Sequence, residues 1–120
     1  MRFAFLAYCE EWVWEYLEVE ERRKRSTAQR AVVSKADRAG RLVTAARLLP
    51  THAATTVTIT DDGRTKILDE PFSETKEQLA GVMILECSDL DEAVGYAKMW
   101  MSAGETIEIR PLLSDGSSVE

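Results

Sequence analysis

Two periods of apolar and polar positions alternate along this chain, and the points where the period changes divide it into elements. Residues 2–8 read Arg, Phe, Ala, Phe, Leu, Ala, Tyr. A short run apolar on both faces predicts a strand inside a sheet. From Glu10 to Arg25 the pattern turns polar with helical spacing: Val13 and Leu17 stand four apart, Trp14 and Tyr16 lie beside them, and the apolar stripe stops at Val19. This predicts a helix that ends or bends near Arg25. Ser26 and Gln29 have the spacing of a capping box for a second helix, and Ala31, Val32, Ala36 and Ala39 continue its apolar side to Gly40, the natural left-handed stop.

Strand patterns follow. Leu42 to Leu49 is a second strand ended by Pro50, and Thr55 to Thr60 alternates, with Val57 and Ile59 on one face and threonines on the other. That third strand is expected to be half exposed. Asp61, Asp62 and Gly63 predict a hairpin turn, because glycine takes the positive backbone angle there, and Thr65 to Leu68 returns as a fourth strand. Val82 to Cys87 is a fifth. Ser88 and Asp89 are candidate caps for a helix in which Leu90, Val94, Ala97 and Met101 form one stripe, closed by Gly104. Thr106 to Arg110 is the last strand, and Ser114 to Glu120 reads as a loose polar tail.

The order strand, helix, three strands, strand, helix, strand predicts a single α+β domain over residues 1–113, an antiparallel sheet with its helices on one face. Such a sheet leaves its other face bare, so a symmetric homodimer is expected. Composition adds exclusions. No apolar run approaches the roughly 20 residues that cross a bilayer, and the first eight residues lack the features of a signal peptide, so a cytoplasmic protein is expected. The net charge of -6 is uneven: residues 1–50 hold 10 basic and 7 acidic side chains, residues 51–120 hold 5 and 14. The acidic half speaks against nucleic acid, and the basic run from Arg22 to Arg25 follows Glu18, Glu20 and Glu21 as on a solvated helix face. Cys9, Cys87 and the single His52 form neither a disulfide framework nor a zinc pattern, so reduced thiols and no metal are expected. No glycine-rich phosphate loop or nucleophile elbow is present, and no cofactor is called for.

Residues 69–81, Asp-Glu-Pro-Phe-Ser-Glu-Thr-Lys-Glu-Gln-Leu-Ala-Gly, resemble the signature of the YCII-related proteins, specifically the DGPF subgroup. The resemblance continues through Asp89 to Ala93 and Ile107 to Pro111, and upstream through Arg38 to Gly40, Leu42 and Val43, and Ala54 to Thr56. It implies a ferredoxin-like α+β fold that dimerises into an α/β barrel. Two positions depart from the pattern, Glu70 and Ala80 standing where the family has glycine. Ala46 stands where some relatives in the wider family carry a histidine proposed to work with the aspartate. The resemblance therefore carries over Asp69 alone of that pair.

Asp69, at a strand end before a rigid proline, is the candidate general acid and base; the competing reading has it accepting backbone amides of the turn from Phe72 to Thr75. Candidate ligand contacts are Tyr8, Arg47, Phe72, Glu74 and Lys76. For residues 73–77 the competing reading is a polar helical turn capped by Ser73. Arg47 can neutralise an acidic ligand by a bidentate contact, against a protein carboxylate as its alternative partner. His52 reads as a surface loop residue. Trp12 and Trp14, two apart, cannot share a helix face, and Met99, Trp100 and Met101 read as packing or dimer contacts. With the histidine missing, the leading reading is a homodimeric module that binds a small ligand or a protein. The association of relatives with alternative sigma factors implies a regulatory partner. A cofactor-free isomerase or lyase that uses Asp69 on a small acidic or aromatic substrate is the alternative, and a dimer without a pocket is a third reading.

Overall fold

In the computed structural model, which describes residues 1–73, 75–102 and 104–113, the chain runs β1 (Arg2–Cys9), α1 (Glu11–Glu15), α2 (Val19–Arg38), β2 (Leu42–Arg47), a 3-10 turn (Thr51–Ala53), β3 (Thr56–Ile59), β4 (Thr65–Leu68), β5 (Gln78–Glu86), α3 (Leu90–Trp100) and β6 (Thr106–Pro111). The strands β2, β5, β1 and β6 lie side by side in that order, every pair antiparallel. This is the split β-α-β arrangement. The aromatic run at the start of the chain is an inner strand, as its two-faced apolarity predicts.

Alternation along the inner strands decides which face is buried. Phe3, Phe5 and Ala7 of β1 and Met83 and Leu85 of β5 point to one side, where Val32 and Ala36 of α2 and Ala93, Tyr96, Ala97 and Trp100 of α3 close over them. Each large side chain fully buried here contributes on the order of 1.5–3 kcal/mol. Both long helices thus cover one face. The opposite face pairs Leu6 with Val82 and Ala4 with Ile84; these residues are half-buried and outside the core.

The structure corrects several boundaries. The break in the first helical region falls at Tyr16 to Glu18, not near Arg25, and α2 runs unbroken through Ser26 and Gln29. No capping box forms: the Ser26 hydroxyl accepts from Arg47 and the Gln29 amide faces Glu105. In α3 the buried stripe is Ala93, Tyr96, Ala97 and Trp100, while Leu90 is 55% exposed and Met101 40%. Rotating the stripe in this way brings the largest ring of the helix inward. Asp89 caps the helix as expected, its Oδ1 accepting from Glu92 N at 2.9 Å. β5 begins four residues earlier than its apolar run, at Gln78, and β2 stops at Arg47.

The larger correction concerns β3 and β4. They form a hairpin that is a two-stranded sheet of its own, so only β2 of the predicted three-strand run joins the main sheet. Val57 and Ile67 face each other across the hairpin, and both are exposed, as is Ile59. Gly63 at the tip takes φ +84, as the turn requires, and Gly40 ends α2 at φ +73. Threonine hydroxyls fix the base: Thr56 Oγ1 donates to the Glu70 carbonyl at 2.7 Å. Among the described residues no helix is long and apolar enough to cross a membrane. The expected tail from Ser114 and the candidate contact Glu74 lie outside the described residues.

Candidate functional site

Chemistry-bearing side chains gather where β1 ends and the chain turns into α1. Glu11, the first residue of that short helix, sends its carboxylate to the 3-10 turn, accepting from Thr51 N at 2.7 Å and from the Thr51 hydroxyl at 2.5 Å. Trp14, one helical turn on, presents its ring to Arg47, whose Cζ lies 4.8 Å from the ring centre. A guanidinium over an indole face is held by the ring quadrupole. Arg47 Nη1 also donates to Ser26 Oγ of α2 at 2.9 Å. Among the described residues no carboxylate pairs with Arg47. The protein-carboxylate alternative for this residue is therefore not the arrangement seen.

Three concave regions meet around these groups. An inner cleft of about 90 Å³ is lined by Cys9, Glu11, Trp14, Arg47, Pro50 and Glu105, among others. Two of its three carboxylates are occupied, Glu11 by Thr51 and Glu105 by Ser102 N at 2.7 Å, with Gln29 Nε2 at 3.4 Å; Glu15 is the third. Burial, and then the negative charges of Glu105 and Glu11, push the Cys9 thiol above its ordinary pKa, with Arg47 opposing them. The thiol is held protonated near neutral pH, and Cys9 and Cys87 are both free.

An outer, open cleft is bordered by Trp12, Thr51, His52, Pro71, Lys76 and Gln78. Here the signature loop is tied down by its own residues. Gln78 Nε2 donates to the carbonyls of Ser73 at 3.1 Å and Thr75 at 2.7 Å, and Lys76 Nζ reaches Glu10 at 3.2 Å. Trp12 Nε1 donates to the other oxygen of Glu10 at 2.7 Å, so one carboxylate ties the loop to α1. Of the segment where a capped helical turn is expected, the described residues, Ser73 and Thr75 to Glu77, are bend and coil.

The third region is a groove of about 290 Å³ between α2 and the edge strand β2, lined by Gln29, Arg30, Val33, Ser34, Ala45, Ala46, Arg47 and Trp100. Its floor is apolar because Ala45, in register with the core residue Met83, faces the helices with only a methyl group. Arg47 borders both this groove and the inner cleft.

The structure does not collect the other sequence candidates at this place. Tyr8 lies on the sheet face opposite the helices, in register with Leu79 and Thr106. Asp69 is exposed at the base of the hairpin and accepts from Thr55 Oγ1 at 3.3 Å; among the described residues no amide of the following turn donates to it. Phe72 is 86% exposed, and Lys76 has Glu10 as partner. Sequence reasoning missed Glu11, Arg30, Val33 and Ala45. Arg30, Val33 and Ser34 sit three and four apart, a spacing that puts them along one face of a helix, and this was the available signal.

A family model of the YCII-related domain matches residues 1–112. The chain is also similar to an uncharacterized protein of Rhizobium meliloti (strain 1021), with 39% identity over 115 residues that cover 93% of this chain and 92% of that protein.

Proposed function

The chain belongs to the YCII-related domain family, and from that premise we propose that it is a ferredoxin-like homodimer, paired as an α/β barrel, that binds a small acidic ligand at Arg47. One observation carries the ligand: the Arg47 guanidinium is positioned by the Trp14 ring and the Ser26 hydroxyl, opens onto two cavities, and has no carboxylate of the described chain against it. A prepositioned arginine without a counter-ion is a ready acceptor for a carboxylate, since two parallel N–H bonds match its geometry. The homodimer is supported by the sheet face of Ala4, Leu6, Tyr8, Val82 and Ile84, which neither long helix contributes to covering and which suits a self-complementary contact.

Binding is preferred over acid-base catalysis because Asp69 is a surface residue of the hairpin base, with a threonine as its partner. A general base has to lie within hydrogen-bond reach of a bound substrate, and no cavity described above is lined by Asp69.

The test is titration of the labelled protein with acetate, butanoate and octanoate, following the Trp14 indole and Arg47 side-chain resonances, in wild type and Arg47→Ala. Wild type is expected to show saturable shifts that Arg47→Ala weakens at least tenfold, the loss of one charge-assisted contact. If no acid shifts those resonances, the ligand reading fails. Sedimentation of wild type and Leu6→Arg tests the pairing: a dimer that the variant dissociates is expected, and a monomeric wild type would overturn it.

A further inference from the structure

We infer that the groove between α2 and β2 is the binding site for the apolar body of that ligand, which makes the ligand an amphipathic acid, an anionic head on an aliphatic or flat apolar tail; this rests on the Arg47 reading above. Size separates the two cavities that Arg47 borders; the outer cleft, at about 420 Å³, is not lined by Arg47. The inner cleft, at about 90 Å³, has room for little more than a few waters, since one water takes about 30 Å³ of liquid. The groove, at about 290 Å³, reaches the lower end of small-molecule sites.

Chemistry then gives the groove a direction. Val33, Ala45 and Trp100 make it apolar, and they come from α2, β2 and α3 in turn, so its walls are set by the fold rather than by a loop. Charge is confined to one part. Arg47 is anchored on Ser26, and Ser26 lies one helical turn before Arg30 on the same face of α2. Both arginines line the groove. Arg30 has only a long 3.5 Å contact from Nη2 to Thr27 Oγ1 and, like Arg47, no paired carboxylate among the described residues. An anionic head in the groove is attracted by both charges. Of the groove's two uncharged polar residues, Gln29 is turned toward Glu105 and Ser34 stands at the rim.

An apolar floor beside a cationic end selects against sugars. It favours a monoanion whose methylene groups replace water over Val33, Ala45 and Trp100, each buried methylene strengthening binding about fourfold. A hydrocarbon without a head lacks the arginine contacts, and a head without a tail lacks the floor.

The test compares acetate, octanoate and 1-octanol by indole fluorescence and amide shifts, in wild type, Arg30→Gln and Ser34→Trp. Ser34 is an exposed rim residue, so a ring placed there obstructs the groove without entering the core. Octanoate is expected to bind at least thirtyfold more tightly than acetate and more tightly than 1-octanol. Arg30→Gln should weaken it several-fold, and Ser34→Trp should bring its affinity down to that of acetate while leaving the acetate shifts at Arg47 in place. If acetate and octanoate bind Arg47 equally, or Ser34→Trp leaves octanoate untouched, the groove assignment is wrong and the Arg47 reading stands. If neither acid perturbs Arg47, both fall together.

Discussion

The indole of Trp100 rests on Gly81: a side-chain carbon added at residue 81 would stand 3.8 Å from Cη2 of that ring and 3.3 Å from the carbonyl oxygen of Ala46. The second glycine position of the signature segment thus serves close approach rather than an unusual backbone angle. Gly81→Ala is expected to lower stability by about 1 kcal/mol, since the strand carbonyl has to give way, and Gly81→Val by more. The midpoint of urea denaturation measures this, and an unchanged midpoint for Gly81→Val would show that the ring is not seated there.

Trp100 is 6% exposed and Trp12 56%, so the two should respond differently to truncation. Trp100→Ala is expected to cost about 3–5 kcal/mol through the cavity it leaves. Trp12→Ala, losing one surface bond to Glu10, should cost at most about 1 kcal/mol. Equal losses in thermal unfolding would contradict the placement of α3.

The sheet was legible because β1 and β5 are apolar runs, as inner strands are, and β6 alternates. Three features were not. The capping-box spacing of Ser26 and Gln29 describes a local option, and the tertiary contacts to Arg47 and Glu105 outweigh it. The stripe of α3 was read one notch off because Trp100 and Met101 are both apolar, and only the space over Gly81 decides which turns inward. The separation of the hairpin depends on where β5 pairs, a long-range choice that alternation in Val57 and Ile59 cannot encode. Of the site, Arg47 was legible as a candidate contact for an acidic ligand, and the groove beside it was not, because its walls come from α2, β2 and α3, which are distant in sequence.

Two aspartates of similar surroundings in sequence should differ in stability effect. Asp89→Ala removes a helix cap whose helix also holds Glu92, which accepts from Ser88 N at 2.8 Å and pairs with Arg41 at 3.1 Å; a loss of about 1 kcal/mol is expected. Asp69→Ala removes one exposed 3.3 Å contact and should stay within about 0.5 kcal/mol. Denaturant midpoints of the two variants decide it, and a larger loss for Asp69→Ala would mean that this carboxylate holds the hairpin base.

Cys9 supplies a pH prediction. Burial first, then Glu105 and Glu11, raise its thiol pKa in the folded protein. Folding therefore favours the protonated form, so this contribution to stability is fully present below the unfolded thiol pKa and is lost as pH rises toward the folded one. Iodoacetamide labelling of Cys9, read by peptide mass, should be slow at neutral pH with a midpoint above that of the unfolded chain. Glu105→Gln should move the midpoint down and Arg47→Ala up; the opposite order would overturn the assignment.

Because β3 and β4 pair only with each other, the molecule has two levels of resistance to opening. Amides of Val57 to Lys66 are expected to exchange with solvent orders of magnitude faster than those of Phe5 and Met83, since a lone two-stranded ribbon is marginal in water. The turn at Asp61 and Asp62 is then where a protease would first nick the native chain and where an inserted peptide would be borne without loss of the sheet.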